Sequence, residues 1–448
     1  MLDYAERVWQ GVTSPGDVPL ADLRAHGVHR VAENVVLWPA SGNVYAIAGS
    51  GGLALFDPGN TIDPPALYTA IRDWSWVPVR YAILAKGRYE HASALQPFEE
   101  EDGPRPTVVA HENAAGRLAR RARAAGYHSV VNQRRFGFAR LSCPSAYRPA
   151  DLTYREKLTL SLGDVILELR HARGETDDGT WAFLTESGVL LTGDLFTWGV
   201  PQAGDPHLAQ RHPDEWAQDL RRMAALDAET LLPGQGPPIH GRERVRSALT
   251  DTADYLDSLI DQTLELMNAG ARLDEALHTV RPPAALAERP YLRPWHDEPE
   301  FLVRTIWRLY GGWYDGNPAH LKPAPDARLA TALAGLAGGA AAIAGGAVAT
   351  AEAGDLRLAC HLAELAAQAD PDDHKIQEIR ARTYAMRVRG ELSSTARSVY
   401  AWAAAESRAR ASGVDLLDVY HEVCEGRDWW TPEPAADEAA REARTART

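Results

Sequence analysis

Apolar and polar positions along the chain predict a run of strands that gives way to helices. Between 31 and 58 the sequence breaks at Ser-Gly and Gly-Ser-Gly-Gly, which predicts three short strands joined by tight turns. Residues 60–76 read as a connecting helix. Tyr81–Ala85 is again short, apolar and β-leaning, and ends in the polar turn Lys86–Gly87–Arg88. Glu90 and His91 follow, and Ala92–Leu95 begins a predicted helix. Thr107–His111 is a strand, and 112–126, rich in Ala and Arg, is the helix of a βα unit. Residues 157–170 alternate as a hairpin should. Residues 180–194 form a second hairpin that closes on Gly193–Asp194, and 229–241 give a strand entering Pro233–Gly234–Gln235–Gly236. From 325 to 410 the period is helical, as in 355–369 and 374–392 with Asp370–Pro371 between them.

A chain of 448 residues exceeds one ordinary core, so two domains are expected. Its net charge of −14 argues against a nucleic-acid partner. Cys143, Cys360 and Cys424 lie far apart and form no CxxC pair, which suits a reducing cytoplasm. The opening MLDYAERVWQ lacks a charged-then-apolar signal pattern. The uncharged run 329–351 is mostly Ala and Gly. Such residues gain little in a bilayer, so closely packed helices and no membrane partner are expected. There is no Gly-rich dinucleotide fingerprint and no P-loop, so nucleotide cofactors are not suggested. The final stretch, 432–448, is expected to be a disordered tail.

The chemistry concentrates at 81–91, since a strand that runs into a polar loop and a helix N-terminus commonly holds ligands and anions. YAILAKGRYEH resembles the metal loop of the metallo-β-lactamase superfamily, Thr-His-x-His-x-Asp-His. On that pattern Lys86 and Arg88 stand at the first two His places, Glu90 at the Asp place and His91 at the last His place. The strands ending in Asp57–Gly59, the turn His171–Asp178, Gly193–Asp194 and the loop around Gln235 follow in the family's order. The segment 290–323 resembles the linker of bacterial alkyl sulfatases, with their Tyr-Asp-Gly-Asn-Pro signature at Tyr314–Pro318. The resemblance implies an α/β chain: a metallo-β-lactamase αββα sandwich (1–245), a helical linker (246–323) and an all-α dimerisation domain (324–415). It also implies a homodimer formed through the helical domain.

The family's site is a zinc pair. The resemblance gives Glu175 a ligand place that a Glu fills in the alkyl sulfatase branch. It makes Asp194 the bridging carboxylate and puts Gln235 where the last His ligand stands. Arg has no lone pair to offer and Lys only after losing its proton. A dication beside both is repelled, so the first metal site is expected to be lost. Two readings of the remainder stay open. Glu90, His91, Asp194 and Gln235 hold one divalent metal (zinc, manganese or iron). Alternatively no cofactor binds, and Lys86 and Arg88 replace the metals in an ion-pair network with Glu90, Glu175 and Asp194.

Lys and Arg at a pocket floor suit a small anionic substrate such as a sulfate ester, phosphate or carboxylate. A lysine crowded by an arginine is also a candidate base or nucleophile. The candidate catalytic set is Lys86, Arg88, Glu90, His91 and Glu175. The resemblance adds Arg211 and Asn317 as substrate contacts. His111 reads as a hydrogen-bonded structural residue rather than a site residue, Asp177 and Asp178 as turn caps rather than an extension of a metal site, and Trp295, Trp307 and Trp313 as domain-interface packing rather than a stacking platform. Three functions follow: an alkyl-sulfatase-like enzyme with a remodelled, zinc-free site, a mononuclear metal-dependent hydrolase, or a non-catalytic dimeric binding protein.

Overall fold

The structure, a computed structural model, describes residues 1–59, 64–88, 94–208 and 211–427. It divides into two compact units: residues 1–130 with 142–321, and residues 131–141 with the chain from 322 onward.

The first unit is built on two sheets. Strands β1 (His29–Ala32), β2 (Val35–Trp38), β3 (Val44–Gly49) and β4 (Gly52–Phe56) form an antiparallel meander. The stretch 31–58 therefore holds four strands rather than three, because the polar pair Glu33–Asn34 turns the chain between β1 and β2. Strands β5 (Val79–Ile83), β6 (Thr107–His111) and β7 (Leu152–Tyr154) extend the sheet in parallel, in the order β1 to β7. The second sheet contains β8 (Lys157–Ser161), β9 (Ile166–Ala172), β10 (Gly179–Leu184), β11 (Val189–Thr197), β12 (Thr230–Gln235) and β13 (Ile239–His240). Its order is β13-β12-β11-β10-β9-β8. Only the β11–β12 pair is parallel, as its crossover through the helix Pro213–Ala224 requires.

Strand periodicity places the layers. In β4, Ala54 and Phe56 face Leu167, Leu169, Ala182 and Leu191 in the core between the sheets. The alternate residues Leu53 and Leu55 face outward onto Leu67, Ala70 and Ile71 of the helix Pro64–Trp74. Both faces of β4 are thus buried, which is why it reads as an unbroken apolar run. The outer face of the second sheet is covered by helices Pro213–Ala224, Arg242–Asn268 and Pro299–Gly311. The layers are helix, sheet, sheet, helix, and the stretch 246–323 supplies part of the last one.

The second unit is helical: Asp326–Ala337, Ala340–Glu352, Leu356–Ala369, His374–Arg389, Ser394–Ser412 and Leu416–Cys424. Four of these helices begin on legible caps, Asp355, Asp373, Ser393 and Asp415, whose side chains accept from first-turn N–H groups. The run 329–351 is not one span. It breaks at Gly338–Gly339 into two helices bent by 86°, and no single described helix is long and apolar enough to cross a membrane. The tail 432–448 lies outside the described residues.

Candidate active site

The site is assembled where β5, β11 and β12 and the β9–β10 turn end together. The Asp57 carboxylate accepts the Ala85 N–H at 2.7 Å, and the Ala85 carbonyl accepts from Thr180 N–H at 2.8 Å. These bonds tie the end of β5 to both sheets just before the chain turns. Gly87 N–H then donates to Asp178 Oδ2 at 2.6 Å. A Cβ at Gly87 would lie 2.9 Å from that same oxygen and 3.1 Å from the Ala114 carbonyl. A side chain here would press on Asp178 and on the helix Asn113–Arg123, so glycine gives the turn its close passage between them.

The turn so held aims Lys86 inward. Its ammonium donates to Glu175 Oε2 at 2.5 Å and to Asp194 Oδ2. Arg88 Nη1 donates to Glu175 Oε1 at 2.9 Å. Arg211 Nη2 lies 3.2 Å from that oxygen, and Arg211 Nη1 donates to the Glu175 main-chain carbonyl. Gln235 Nε2 donates to Asp194 Oδ2 at 3.3 Å. Lys86, Glu175 and Arg211 are each only 2% exposed, and Arg88 is the most accessible of the cluster's charged groups. Burial opposes ionisation of Glu175, but Lys86, Arg211 and Arg88 outweigh it and hold this carboxyl well below its ordinary range. Among the described residues Lys86, Arg88 and Arg211 meet Glu175 and Asp194, with Asp57 on the Ala85 N–H and Asp205 acting on Arg211.

The chain approaches itself closely here. Gly193 has a left-handed backbone (φ 51°), and a Cβ there would lie 2.7 Å from the Ala85 Cβ. A Cβ at Gly234 would lie 2.1 Å from Asp194 Oδ1. Asp194 is therefore placed by β11 and β12 themselves.

Of the sequence candidates, Lys86, Arg88, Glu175, Asp194, Arg211 and Gln235 come together. Glu90 and His91 lie outside the described residues. Asn317 bonds within its own turn, to Asp315 and His320. His111 accepts Asn113 N–H on Nδ1, bonds the Arg155 carbonyl through Nε2 and stacks on His171 at 3.7 Å. Burial, then the neighbouring His171, lowers its pKa. Trp307 is buried in the first unit's own core, whereas Trp313 is exposed.

Asp177 and Asp178 reach well beyond their own turn. Asp177 pairs with Arg117 at 3.3 Å and Arg120 at 3.1 Å, and Asp178, wholly buried, supports Gly87 and lies 3.6 Å from Arg117 Nε. Arg117 and Arg120 were missed as site supports. They sit three apart on the helix after β6, a spacing that shows one face but not what that face meets.

The donor set decides what the first metal position holds. A dication there would need Glu175 and Asp194 on one side and lone pairs from positions 86 and 88 on the other. Those positions hold an ammonium and a guanidinium, and the ammonium already lies between the two carboxylates. The residues present do not fit a metal at that point. Among the described residues no three His, Cys, Asp or Glu side chains converge to hold one.

Comparison with known proteins agrees with the fold. Residues 37–235 match the metallo-β-lactamase superfamily and residues 272–410 match the alkyl sulfatase dimerisation family. A linear primary-alkylsulfatase from a Pseudomonas species is 29% identical over 280 residues, which cover 61% of this chain and 52% of the relative. An alkyl/aryl-sulfatase of Saccharomyces cerevisiae is 28% identical over 201 residues, 44% of this chain and 31% of the relative. The chain thus spans about half or less of the length of these curated relatives. The solved structure of a stereoselective inverting sec-alkylsulfatase from Pseudomonas superposes with a TM-score of 0.77 at 21% identity, covering 87% of this chain and 66% of the other. That likeness shows the shared fold. The chain belongs to the metallo-β-lactamase superfamily, in the alkyl sulfatase-like branch that joins this fold to a helical dimerisation domain.

Proposed function

We propose that this chain is an alkyl-sulfatase-like enzyme whose remodelled site turns over a small anionic substrate with cationic side chains where its relatives' family places zinc. The observation that carries the reading is the buried Lys86 ammonium between Glu175 and Asp194, flanked by Arg88 and Arg211. A decayed site would fill with neutral or apolar residues, because unpaired buried charge is costly. This one keeps its acids and balances them.

Arg88, the most accessible cation, takes the substrate anion, a sulfate ester by analogy with the named activities of the relatives. Lys86 donates to the oxygen on which charge develops. Glu175, held ionised, orients Lys86 and Arg88, and Asp194 accepts a proton from water or from substrate carbon. Hydrolysis, elimination and rearrangement all use that division of labour. Glu90 and His91 belong to the proposed proton relay by resemblance. The protein works as a cytoplasmic homodimer through its helical unit.

The test is turnover of alkyl and aryl sulfates, phosphate monoesters and carboxylates by untagged, chelator-dialysed protein, with metal content measured by plasma mass spectrometry. Activity without bound metal, lost in Lys86→Ala and Arg88→Ala, supports the reading. Unchanged turnover in both variants sinks it. Turnover that requires one tightly held metal would transfer the proposal to a mononuclear hydrolase using Glu90, His91, Asp194 and Gln235.

A further inference from the structure

We propose that the cavity between the helix Leu2–Trp9 and the outer strands β1 and β13 is a second ligand site. Its ligand is a small zwitterion with an apolar body, the chemistry shared by short apolar peptides and apolar amino acids. The inference does not rest on the function proposed above.

The cavity lies at the flank of the sandwich, where both sheets end. β1 closes one sheet and β13 the other, and each pairs with a neighbour on one side only. The helix Leu2–Trp9 supplies a further wall. The cavity measures about 660 Å³, within the range of small-molecule sites. Its walls are set by other contacts. Tyr4 and Val8 anchor the helix in the first unit's core, and Tyr4 donates to the Pro15 carbonyl at 2.6 Å. Trp9 stacks on Tyr291 at 5.2 Å, meets Trp198 edge-on at 6.4 Å and carries the Arg244 guanidinium on its ring at 5.2 Å. The Trp198 indole N–H donates to the Pro237 carbonyl at 2.8 Å. An apolar wall fixed in this way loses little freedom when a ligand enters.

The charges select the occupant. Glu6, Arg30, Glu33 and Arg244 are the charged residues of the lining. Glu6 and Arg244 pair at 2.6 Å. Burial lowers the pKa of His240 despite Glu229, so its ring adds no charge at neutral pH. Arg30 and Glu33 remain, and among the described residues neither has an ion-pair partner. One cation and one anion left over suit a ligand that brings a carboxylate and an ammonium. A simple anion or cation would meet its own sign there. Outer strands also offer backbone N–H and C=O groups to a peptide amide, which favours a dipeptide over a free amino acid.

The test is isothermal titration calorimetry of the full chain with the dipeptide Phe-Leu, its N-acetylated form, its C-terminal amide and free phenylalanine. Wild type is expected to bind Phe-Leu with a dissociation constant below about 1 mM, and phenylalanine more weakly. Trp9→Ala should weaken Phe-Leu about tenfold or more. Arg30→Gln and Glu33→Gln should each weaken it about fivefold. Glu33→Gln should weaken the N-acetylated peptide no further, and Arg30→Gln the amide no further, a coupling that a merely structural role would not produce. Arg30 and Glu33 are exposed, so their variants carry the test even if Trp9→Ala does not fold. Tighter binding of phenylalanine than of Phe-Leu would support the site and assign it to the free amino acid. Wild type that binds neither probe below about 1 mM overturns the site. So does Phe-Leu binding that all three substitutions leave unchanged, and the blocked peptides binding as well as Phe-Leu overturn the zwitterion.

Discussion

Breaking a buried ion pair from one side leaves the other charge without compensation, at a cost of about 3–5 kcal/mol. Lys86 faces two such partners, so Lys86→Met is expected to lose stability in that range in chemical denaturation under chelator. A loss under about 1 kcal/mol would mean that Arg88 and Arg211 alone neutralise the pair. Glu175 gives a signed dependence on pH. Its folded-state pKa lies well below the ordinary value of 4.5, so its ionised form stabilises the fold fully above that value. The contribution fades as pH falls below 4.5 toward the folded pKa. The stability gap between wild type and Glu175→Gln should be constant from neutrality to about pH 5.5 and shrink at lower pH. A gap that widens on acidification would contradict the pairing. Residue identities at 86, 88, 175, 194 and 235 are legible in the sequence once the strand order is known. Which carboxylate each cation takes is not, because Lys86 and Glu175 are 89 residues apart and meet only through the fold.

At the scale of elements, the turn after β5 is positioned from outside. Asp178 holds Gly87 N–H across 91 residues of sequence, and Arg117 and Arg120 hold the β9–β10 turn from the helix after β6. Asp178→Ala leaves a buried N–H unsatisfied, a cost of about 1–3 kcal/mol, and releases the segment that aims Lys86 and Arg88. Turnover on the best anionic substrate should fall by about an order of magnitude or more, since small misplacements of catalytic groups are amplified in rate. Asp178→Asn, which keeps an acceptor, should recover much of it. Equal losses in the two variants would assign Asp178 a role in charge rather than in position. The strands and the cap-marked helices were readable because burial on one or both faces writes a period into the sequence. Thr107–His111 matches its strand residue for residue, and the expected helix 355–369 differs from the observed one only by its capping Asp355. Expectation stopped short where tertiary partners decide. Asp177 and Asp178 read as turn residues because nothing local announces the arginines that meet them. The helix expected from Ala92 is described only over Gln96–Glu99, with a proline in its first turn, while 92 and 93 lie outside the described residues.

For the whole molecule, the charge balance and the helical unit make separate demands. A chain of net charge −14 repels anions at long range, so the cationic side chains Lys86, Arg88 and Arg211 must act at short range and the proposed substrate must be small enough to reach them. A slope of kcat/KM against ionic strength opposite to that of an electrostatically steered enzyme is the expected signature. The helical unit leaves apolar surface uncovered. On the helix Asp326–Ala337, Ala330 and Ala334 are buried, whereas Leu329, Leu333 and Leu336 are 50%, 37% and 87% exposed. Spacings of four and three put the three leucines on one face. Each gains about 1.5–3 kcal/mol when fully buried, and the helix falls within the match to the alkyl sulfatase dimerisation family. A second copy of this chain is the proposed cover. Light scattering at micromolar concentration should give twice the protomer mass for wild type. Leu329→Glu/Leu336→Glu should bring the mass to that of one protomer with helical circular dichroism unchanged, because neither side chain supports the unit's own core. A wild-type monomer would remove the dimer, and a charged double variant that still dimerises would move the interface to another face of the helical unit.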